Sequence, residues 1–167
     1  MSHVEICAVV ITDLPALKKA CETLGVTFVE GQKTFKSWST QYGTGENHCE
    51  HAIKVPGTSW EVGLLKADTP ANSDIGSGVA ESVKSGGKNG FSPAFDAYGT
   101  EGQAIASKLC KQQPNGLYTH EDGKHYFETL MDQYSVEVLK SKARMKGWQF
   151  QQKTVNGVIK LEVKLPN

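Results

Sequence analysis

Hydrophobic and polar positions alternate most clearly at the C-terminal end of the chain. Two alternating runs flank Asn156-Gly157, a pair that favours a type I′ turn because both residues tolerate positive φ angles. The pattern predicts a β-hairpin with Val155 opposite Val158 and Phe150 opposite Val163. One face of the hairpin needs a covering element, since an isolated hairpin is marginally stable. That apolar face comprises Trp148, Phe150, Ile159, Leu161, Val163 and Leu165.

An amphipathic helix is predicted directly before the hairpin. Apolar residues recur near the 3.6-residue period between Tyr126 and Lys146, and Gly147 suits the left-handed cap that ends a helix. We expect this helix to cover the hairpin. Its predicted buried stripe comprises Phe127, Leu130, Met131, Tyr134, Val138 and Met145, widened by Val136, Leu139 and Ala143.

The N-terminal end predicts a strand, a helix and a second strand. Residues from Val4 to Ile11 are apolar on both faces, which is typical of a central strand. Thr12 or Asp13 would cap the helix that follows, and Gly25 would end it. Residues 26–30 form the predicted second strand.

The middle of the chain predicts further short elements. Pro93 favours an edge position or a bulge for the strand that contains it. A capping box that begins at Thr100 predicts a helix ending before Pro114. The other predicted strands cover 34–42, 51–55, 60–65, 91–98 and 117–120. Together the elements predict one α+β domain over residues 1–167, with a mostly antiparallel curved sheet and about three helices on one face.

Residues 67–90 interrupt the periodic pattern. They contain five glycines and four serines and no aromatic residue. A loop of this length inside a domain is usually functional or disordered, so we expect a flexible lid or a flexible insertion. The candidate ligand-binding residues are Lys84, Gly86, Gly87 and Lys88, although their spacing is not that of a phosphate-binding P-loop.

Composition indicates the cellular compartment of the protein more clearly than its function. The chain has 18 Lys or Arg and 18 Asp or Glu, so its net charge of zero gives no overall field that attracts nucleic acid or membrane. No apolar run reaches the length of a membrane span, and the N-terminal residues lack the pattern of a secretion signal. Four cysteines without paired spacing favour a reducing compartment. We therefore expect a cytoplasmic protein without disulfides.

Two segments combine residue types that ligate transition metals. The first segment is His48-Cys49-Glu50-His51, and the second is His120-Glu121-Asp122 with His125. If the segments met in space, they would offer imidazole, thiolate and carboxylate ligands to zinc or another transition metal, although the spacing matches no established zinc signature. Cys49 paired with a histidine is also a candidate nucleophile. The competing interpretation is that these are solvated loop residues.

Positive charge is concentrated near the C-terminal end. Residues 140–164 contain seven Lys or Arg and a single acidic residue, Glu162, which gives a net charge of +6. Basic clusters beside aromatic residues occur at nucleic-acid sites. The competing interpretation is that the cations complement the helix dipole and protect the hairpin edges. The candidate nucleic-acid contacts are Lys140, Lys142, Arg144 and Lys146.

Several segments together resemble an uncharacterised family. The chain is similar in these segments to the conserved chloroplast reading frame thirty-five family, or domain of unknown function twelve fifty-seven. The segments are the N-terminal Met-Ser-His, Asp13–Ala20, Phe95–Gly99, and Lys146-Gly147-Trp148 followed by Asn156-Gly157. Relatives in that family occur in cyanobacteria, plastids, other bacteria and tailed phages. The resemblance covers the two ends of the chain and the region around Phe95. It implies an α+β fold and a soluble intracellular protein, and it brings no established activity or catalytic residues.

No segment predicts a catalytic mechanism as clearly as the C-terminal end predicts structure. We therefore expect a non-enzymatic binding module for a small ligand, such as a nucleotide, or for a protein partner. Such a module would suit an accessory protein of a phage or a bacterium. A metal-dependent enzyme using the two His-containing segments is the first alternative. A nucleic-acid-binding accessory protein is the second, and no resident cofactor is expected.

Overall fold

The protein combines antiparallel strands with helices, and the computed structural model describes residues 4–7, 9–43, 46–66, 68–69 and 90–166. The strands are β1 (Val4–Ile6), β2 (Thr27–Glu30), β3 (Thr34–Phe35), β4 (Asn47–His48), β5 (His51–Lys54), β6 (Glu61–Leu65), β7 (Ser92–Asp96), β8 (Gln149–Val155) and β9 (Val158–Lys164). The helices are α1 (Leu14–Leu24), α2 (Trp38–Tyr42), α3 (Gly99–Leu109) and α4 (Glu128–Met145).

A five-stranded sheet in the order β1-β7-β6-β5-β2 forms the centre of the fold, and all of its pairings are antiparallel. One face packs against α1, α3 and α4. The contacting core residues include Ile53, Leu64 and Phe95 from the sheet and Leu17, Ile105 and Leu130 from the helices. The predicted α+β class, with an antiparallel sheet and a C-terminal helix followed by a hairpin, is confirmed.

The segment between β2 and β5 covers the other face of the sheet. β3 and β4 pair with each other, and Phe35 is buried in a smaller apolar cluster with Ala52, Leu65 and Ala94. A Cβ atom at Gly63 would collide with the ring of Phe35, so this glycine allows the ring to lie directly on the sheet. The sheet is therefore buried on both faces.

The predictions for α1 are confirmed. Asp13 is the N-cap, and its carboxylate accepts a hydrogen bond from the backbone amide of Ala16 at 2.9 Å. Gly25 has a φ of 69°, which is the left-handed conformation that ends many helices. α1 then packs against α4, so the two helices form one layer over the sheet.

Two strand positions differ from the prediction. β1 was expected in the centre of the sheet but lies at an edge of the described sheet. β7 was expected at an edge or at a bulge because of Pro93, but it pairs with β1 on one side and β6 on the other. The carbonyl of Pro93 accepts a hydrogen bond from the Cys7 amide at 2.8 Å, and its missing donor costs little there because β1 ends at Ile6.

Residues 34–42 are not one strand. The strand ends at Phe35, and α2 begins at Trp38. The amide of Ser37 donates to Thr40 Oγ1 at 2.9 Å, and the Thr40 hydroxyl donates to the Ser37 carbonyl at 3.0 Å. These local bonds start a helical turn, so side-chain capping outweighs the apolar alternation.

Two further elements near α3 were predicted wrongly. Thr100 lies inside α3, and the N-cap position is Tyr98, so the predicted capping box does not start the helix. Residues 117–120 are irregular and bent rather than a strand. The predicted end of this helix before Pro114 agrees with its last residue, Leu109.

The C-terminal hairpin has the predicted register. Val155 pairs with Val158 and Phe150 with Val163, and the turn residues Asn156 and Gly157 have φ angles of 53° and 75°. The hairpin forms its own two-stranded sheet. Ile159 and Leu161 line a cleft of about 280 Å³ together with α4 residues Asp132 and Val136. The hairpin therefore lies along α4, as predicted.

The burial of this apolar face is less complete than predicted. Trp148, Phe150, Ile159 and Leu161 are half-buried, but Val163 is 40% exposed and Leu165 is 66% exposed. Met145, expected in the buried stripe of the helix, is 85% exposed, because it lies in the last turn of α4. The helix therefore covers the hairpin only in part.

Candidate ligand-binding cleft

The connection between α3 and α4, residues 110–127, forms an open cleft of about 750 Å³. Its lining comes from residues 113–115, residues 119–122, Tyr126 and Glu128. Most of these side chains are polar. The cleft is large enough for a small organic ligand, since such sites commonly measure 300–1,000 Å³.

Two hydrogen-bonded turns hold the wall of the cleft in place. The amide of Gly116 donates to the Gln113 carbonyl at 2.9 Å, and the amide of Gly123 donates to the His120 carbonyl at 2.9 Å. Both glycines have positive φ angles, 82° and 74°, which residues with a side chain rarely adopt. The Asn115 and Asp122 side chains reinforce the turns by accepting bonds from nearby amides. The wall is therefore fixed by its own local bonds.

The side chains of His120 and Glu128 meet at the base of the cleft. His120 Nε2 is hydrogen-bonded to Glu128 Oε1, and the Lys111 amide donates to Glu128 Oε2 at 3.2 Å. Partial burial alone would raise the pKa of Glu128, but hydrogen bonds from His120 and from the amides of Glu128 and Lys111 outweigh it and lower that pKa. Glu128 also lies in the first turn of α4, where the helix dipole favours negative charge. Glu128 is therefore ionised at neutral pH.

Tyr126 and Asp122 form a second polar pair. The Tyr126 hydroxyl donates to Asp122 Oδ2 at 2.5 Å. This bond lowers the pKa of Asp122 and raises that of Tyr126. The ring of Tyr126 packs edge-on against His120, with 4.8 Å between ring centroids. The two polar pairs are thus joined by an aromatic contact.

The charge of the lining is mainly negative. Three carboxylates, Glu121, Asp122 and Glu128, line the cleft, and its lining contains neither Lys nor Arg. Carboxylates accept hydrogen bonds and attract cations. The cleft is therefore suited to a ligand that donates hydrogen bonds and carries positive charge, and it is poorly suited to a phosphate.

The five candidate metal ligands do not come together. Within the described residues, no three His, Cys, Asp or Glu side chains form a group that could hold a metal ion. His120 lies in the cleft, whereas His125 is buried beside Phe95 and its Nδ1 lies 2.9 Å from Glu5 Oε2. His125 therefore ties the loop to β1 rather than facing the cleft.

The first His-containing segment lies on the sheet. His48 belongs to β4, and His51 begins β5, where its Nδ1 accepts a hydrogen bond from the Gly31 amide at 3.0 Å. Burial lowers the pKa of His51. Cys49 is buried, donates to the Gln32 carbonyl at 3.1 Å, and has its pKa raised to about 12 by burial. An activated nucleophile needs the opposite shift, so the geometry does not support the Cys49 hypothesis.

The candidate residues of the glycine-rich loop and of the basic segment remain to be placed. Lys84, Gly86, Gly87 and Lys88 lie outside the described residues, as does most of the predicted loop 67–90. Lys142, Arg144 and Lys146 are exposed on the last turns of α4, and Lys140 is paired with Glu137 at 2.9 Å. The helix-dipole interpretation thus agrees with their position, and their exposure leaves them accessible to a partner.

The sequence pointed to His120, Glu121 and Asp122 as candidate ligands but gave no sign of the other polar side chains of the cleft. Gln113, Tyr126 and Glu128 carry no motif, and Glu128 was read only as part of a helix. The sequence does indicate two turns, because the pairs Asn115-Gly116 and Asp122-Gly123 are typical turn residues. Such turns indicate a shaped loop, although they do not indicate which side chains it brings together.

Comparison with known proteins adds no assignment. No family model, curated protein or solved structure matches the chain. The family resemblance therefore stays a prediction. In the part of the chain that the structure describes, no helix has both the length and the apolar character needed to cross a membrane.

Proposed function

We propose that the protein is a binding module for a small ligand carrying aliphatic amino or guanidinium groups, held in the cleft between α3 and α4. The observation that carries the proposal is the cleft of about 750 Å³ whose charged lining is three carboxylates and one imidazole. The ordered turns around Gly116 and Gly123 support it, because a preformed wall reduces the entropy lost when a ligand binds.

The two polar pairs give different roles to the lining residues. Glu128 is held by His120 and by the Lys111 amide, so it supplies a fixed negative charge at the base of the cleft. Glu121 is exposed on the rim and free to adjust to the ligand. The Tyr126 ring offers an apolar surface for the methylene chain of a diamine. A ligand with two amino groups would place one at each carboxylate position.

A catalytic use of the cleft is a weaker hypothesis. His120 and Glu128 resemble an oriented acid–base pair, but a general base must also reach a nucleophile or a substrate proton. The cleft lining contains no cysteine or serine, and no hydrogen bond joins its one threonine, Thr119, to His120 or Glu128. The geometry thus favours binding over catalysis.

Calorimetric titration tests the proposal with putrescine and agmatine as probes and 1,4-butanediol as the uncharged probe of similar length. We expect saturable binding of the two cations and none of the diol. Glu121→Gln and Asp122→Asn should each weaken binding about five- to tenfold, which is about 1–1.4 kcal/mol. Glu162→Gln, which removes one carboxylate from the distant hairpin, is the matched control and should leave affinity unchanged. Equal binding of the diol, or equal loss in the control, would refute the proposal.

A further inference from the structure

The outer face of the C-terminal hairpin is polar, basic and exposed. Residues 149, 151 and 153 of β8 alternate with inward-facing neighbours, and residues 160, 162 and 164 of β9 lie opposite them. All six side chains are exposed. The hairpin's other face is directed toward α4, so the outer face is left to solvent. This outer face comprises Gln149, Gln151, Lys153, Lys160, Glu162 and Lys164.

We propose that this face, together with the basic end of α4, binds double-stranded DNA in the major groove. The proposal goes beyond the function proposed for the cleft and does not depend on it. Residues 140–164 carry a net charge of +6, while the whole chain is neutral, so the remaining residues carry a net −6. The net positive charge is therefore concentrated in the C-terminal segment, which orients a polyanion toward it.

The dimensions of the hairpin match a DNA groove. Two paired strands lie about 4.8 Å apart, and with their side chains they fit a major groove about 12 Å wide. Seven residues per strand extend roughly 23 Å, or about seven base pairs. The major groove of double-stranded RNA is too narrow to admit such an element, so the geometry selects DNA.

The side chains also match the chemistry of the groove. Gln149 and Gln151 carry amides, which can bond an adenine edge in two places, and lysines bond guanine or phosphate oxygens. Lys142, Arg144 and Lys146 continue the positive surface at the end of α4. Lys146 Nζ lies 4.6 Å from the centre of the Trp148 ring, which holds this cation beside the start of the hairpin. The face therefore combines base-reading and phosphate-binding groups.

Protein partners are less well matched to this surface. Val155 and Val158 at the tip are 43% and 59% exposed, which would suit an apolar contact. They are the two apolar residues at the tip of the outer face, since the exposed Val163 pairs with Phe150 on the opposite face. The lysines beside them would have to be desolvated in a protein interface. At the tip of a DNA-binding ribbon, the same valines can contact thymine methyl groups while the lysines stay near phosphates.

Fluorescence anisotropy with a labelled 30-base-pair DNA duplex at 50–200 mM KCl tests the proposal on the full chain. About four phosphate contacts predict a slope near −3.6 in a plot of log affinity against log salt. Lys160→Gln combined with Lys164→Gln should weaken binding about tenfold and reduce the slope by about 2. Lys18→Gln combined with Lys19→Gln, an equal charge change on the exposed face of α1, is the control and should leave binding unchanged.

A variant that is expected to bind DNA more tightly separates an effect on binding from an effect of unfolding, because unfolding would weaken binding. Glu162→Gln removes the single carboxylate of this surface and should strengthen DNA binding about threefold. Absence of binding at 50 mM KCl, equal losses in the α1 control, or equal affinity for an RNA duplex would each overturn the proposal. Salt-dependent self-association without DNA binding would also overturn it, since the charged surface would then serve a second copy of the chain.

Discussion

The hydroxyl oxygen of Tyr134 lies 3.0 Å from the backbone nitrogen of Asp13 and accepts its hydrogen bond. The same oxygen accepts a bond from the Thr12 amide at 3.1 Å. These two amides precede α1, whereas Tyr134 lies in the middle of α4, so one side chain joins the start of the first long helix to the last. The layer of helices over the sheet is thus fixed by a polar contact as well as by apolar packing.

Tyr134→Phe should lower the free energy of unfolding by about 1–2 kcal/mol. The change leaves the ring in place but removes the acceptor of two amides, and Tyr134 is only 7% exposed, so water cannot easily replace it. Urea unfolding followed by circular dichroism measures the effect. Tyr98→Phe removes a hydroxyl from a side chain that is 58% exposed and should change stability little. Equal effects of the two substitutions would contradict the structural role assigned to Tyr134.

Glu128→Gln should lower stability by about 1 kcal/mol at pH 7, and the loss should shrink as the pH falls below the unfolded pKa. The pKa of Glu128 is lowered in the folded protein, so its contribution is complete above the unfolded pKa, near 4.3, and is lost as the pH falls through the folded pKa. Urea unfolding of both proteins across this range measures the difference. Glu162→Gln serves as the control because Glu162 is 56% exposed on the hairpin. A difference that stayed constant while the pH fell well below the unfolded pKa of Glu128 would be incompatible with a charge-dependent role.

Gly63→Ala should destabilise the protein by about 1–3 kcal/mol, the usual cost of overpacking. The added methyl group would occupy the space of the Phe35 ring, which lies over β6. The same substitution in a Phe35→Leu background should cost clearly less, because the smaller side chain leaves room. Thermal or urea unfolding of the four proteins gives the coupling free energy. Additive effects would show that the ring and the glycine are not in contact.

The four cysteines should react slowly with a thiol reagent in the folded protein. All four are buried, and burial raises the pKa of Cys21, Cys49 and Cys110 to about 12. At pH 8 roughly one thiol in ten thousand is then ionised. Reaction with Ellman's reagent before and after unfolding in urea measures accessibility, and Cys49→Ser identifies that residue's share. Labelling of Cys49 within seconds in the folded protein would revive the nucleophile hypothesis.

Local patterns predicted the parts of the fold that local forces determine. The hairpin register follows from Asn156-Gly157 and from alternation on either side, and α1 follows from Asp13 and Gly25. α2 was missed because two effects act against the apolar alternation of 34–42. The Ser37–Thr40 bonds are local and could have been read as a cap, whereas the bond from the Trp38 amide to Asp96 at 3.2 Å joins residues far apart in sequence.

The candidate cleft also combines features that local sequence predicts with features that depend on tertiary contacts. The turns at Gly116 and Gly123 were visible in the sequence, but the pairing of His120 with Glu128 depends on the path of the whole connection. His120 and His125 looked equivalent as metal ligands, yet one faces the cleft and the other is buried against Glu5. Residue type alone did not separate them, because burial is decided by the packing of the loop on β1.

The most direct test of the proposed function is a titration of the isotopically labelled protein with putrescine, followed by ¹H–¹⁵N correlation spectra at pH 7. We predict saturable shifts concentrated in residues 113–128, with the amides of Lys111 and Glu128 among those affected, and no saturable shifts in β8 or β9. 1,4-Butanediol should produce none of these changes. The proposal would be contradicted if no saturable shifts appeared at about 10 mM putrescine, because a specific site should have a dissociation constant well below that concentration. Shifts centred outside the cleft would also contradict it.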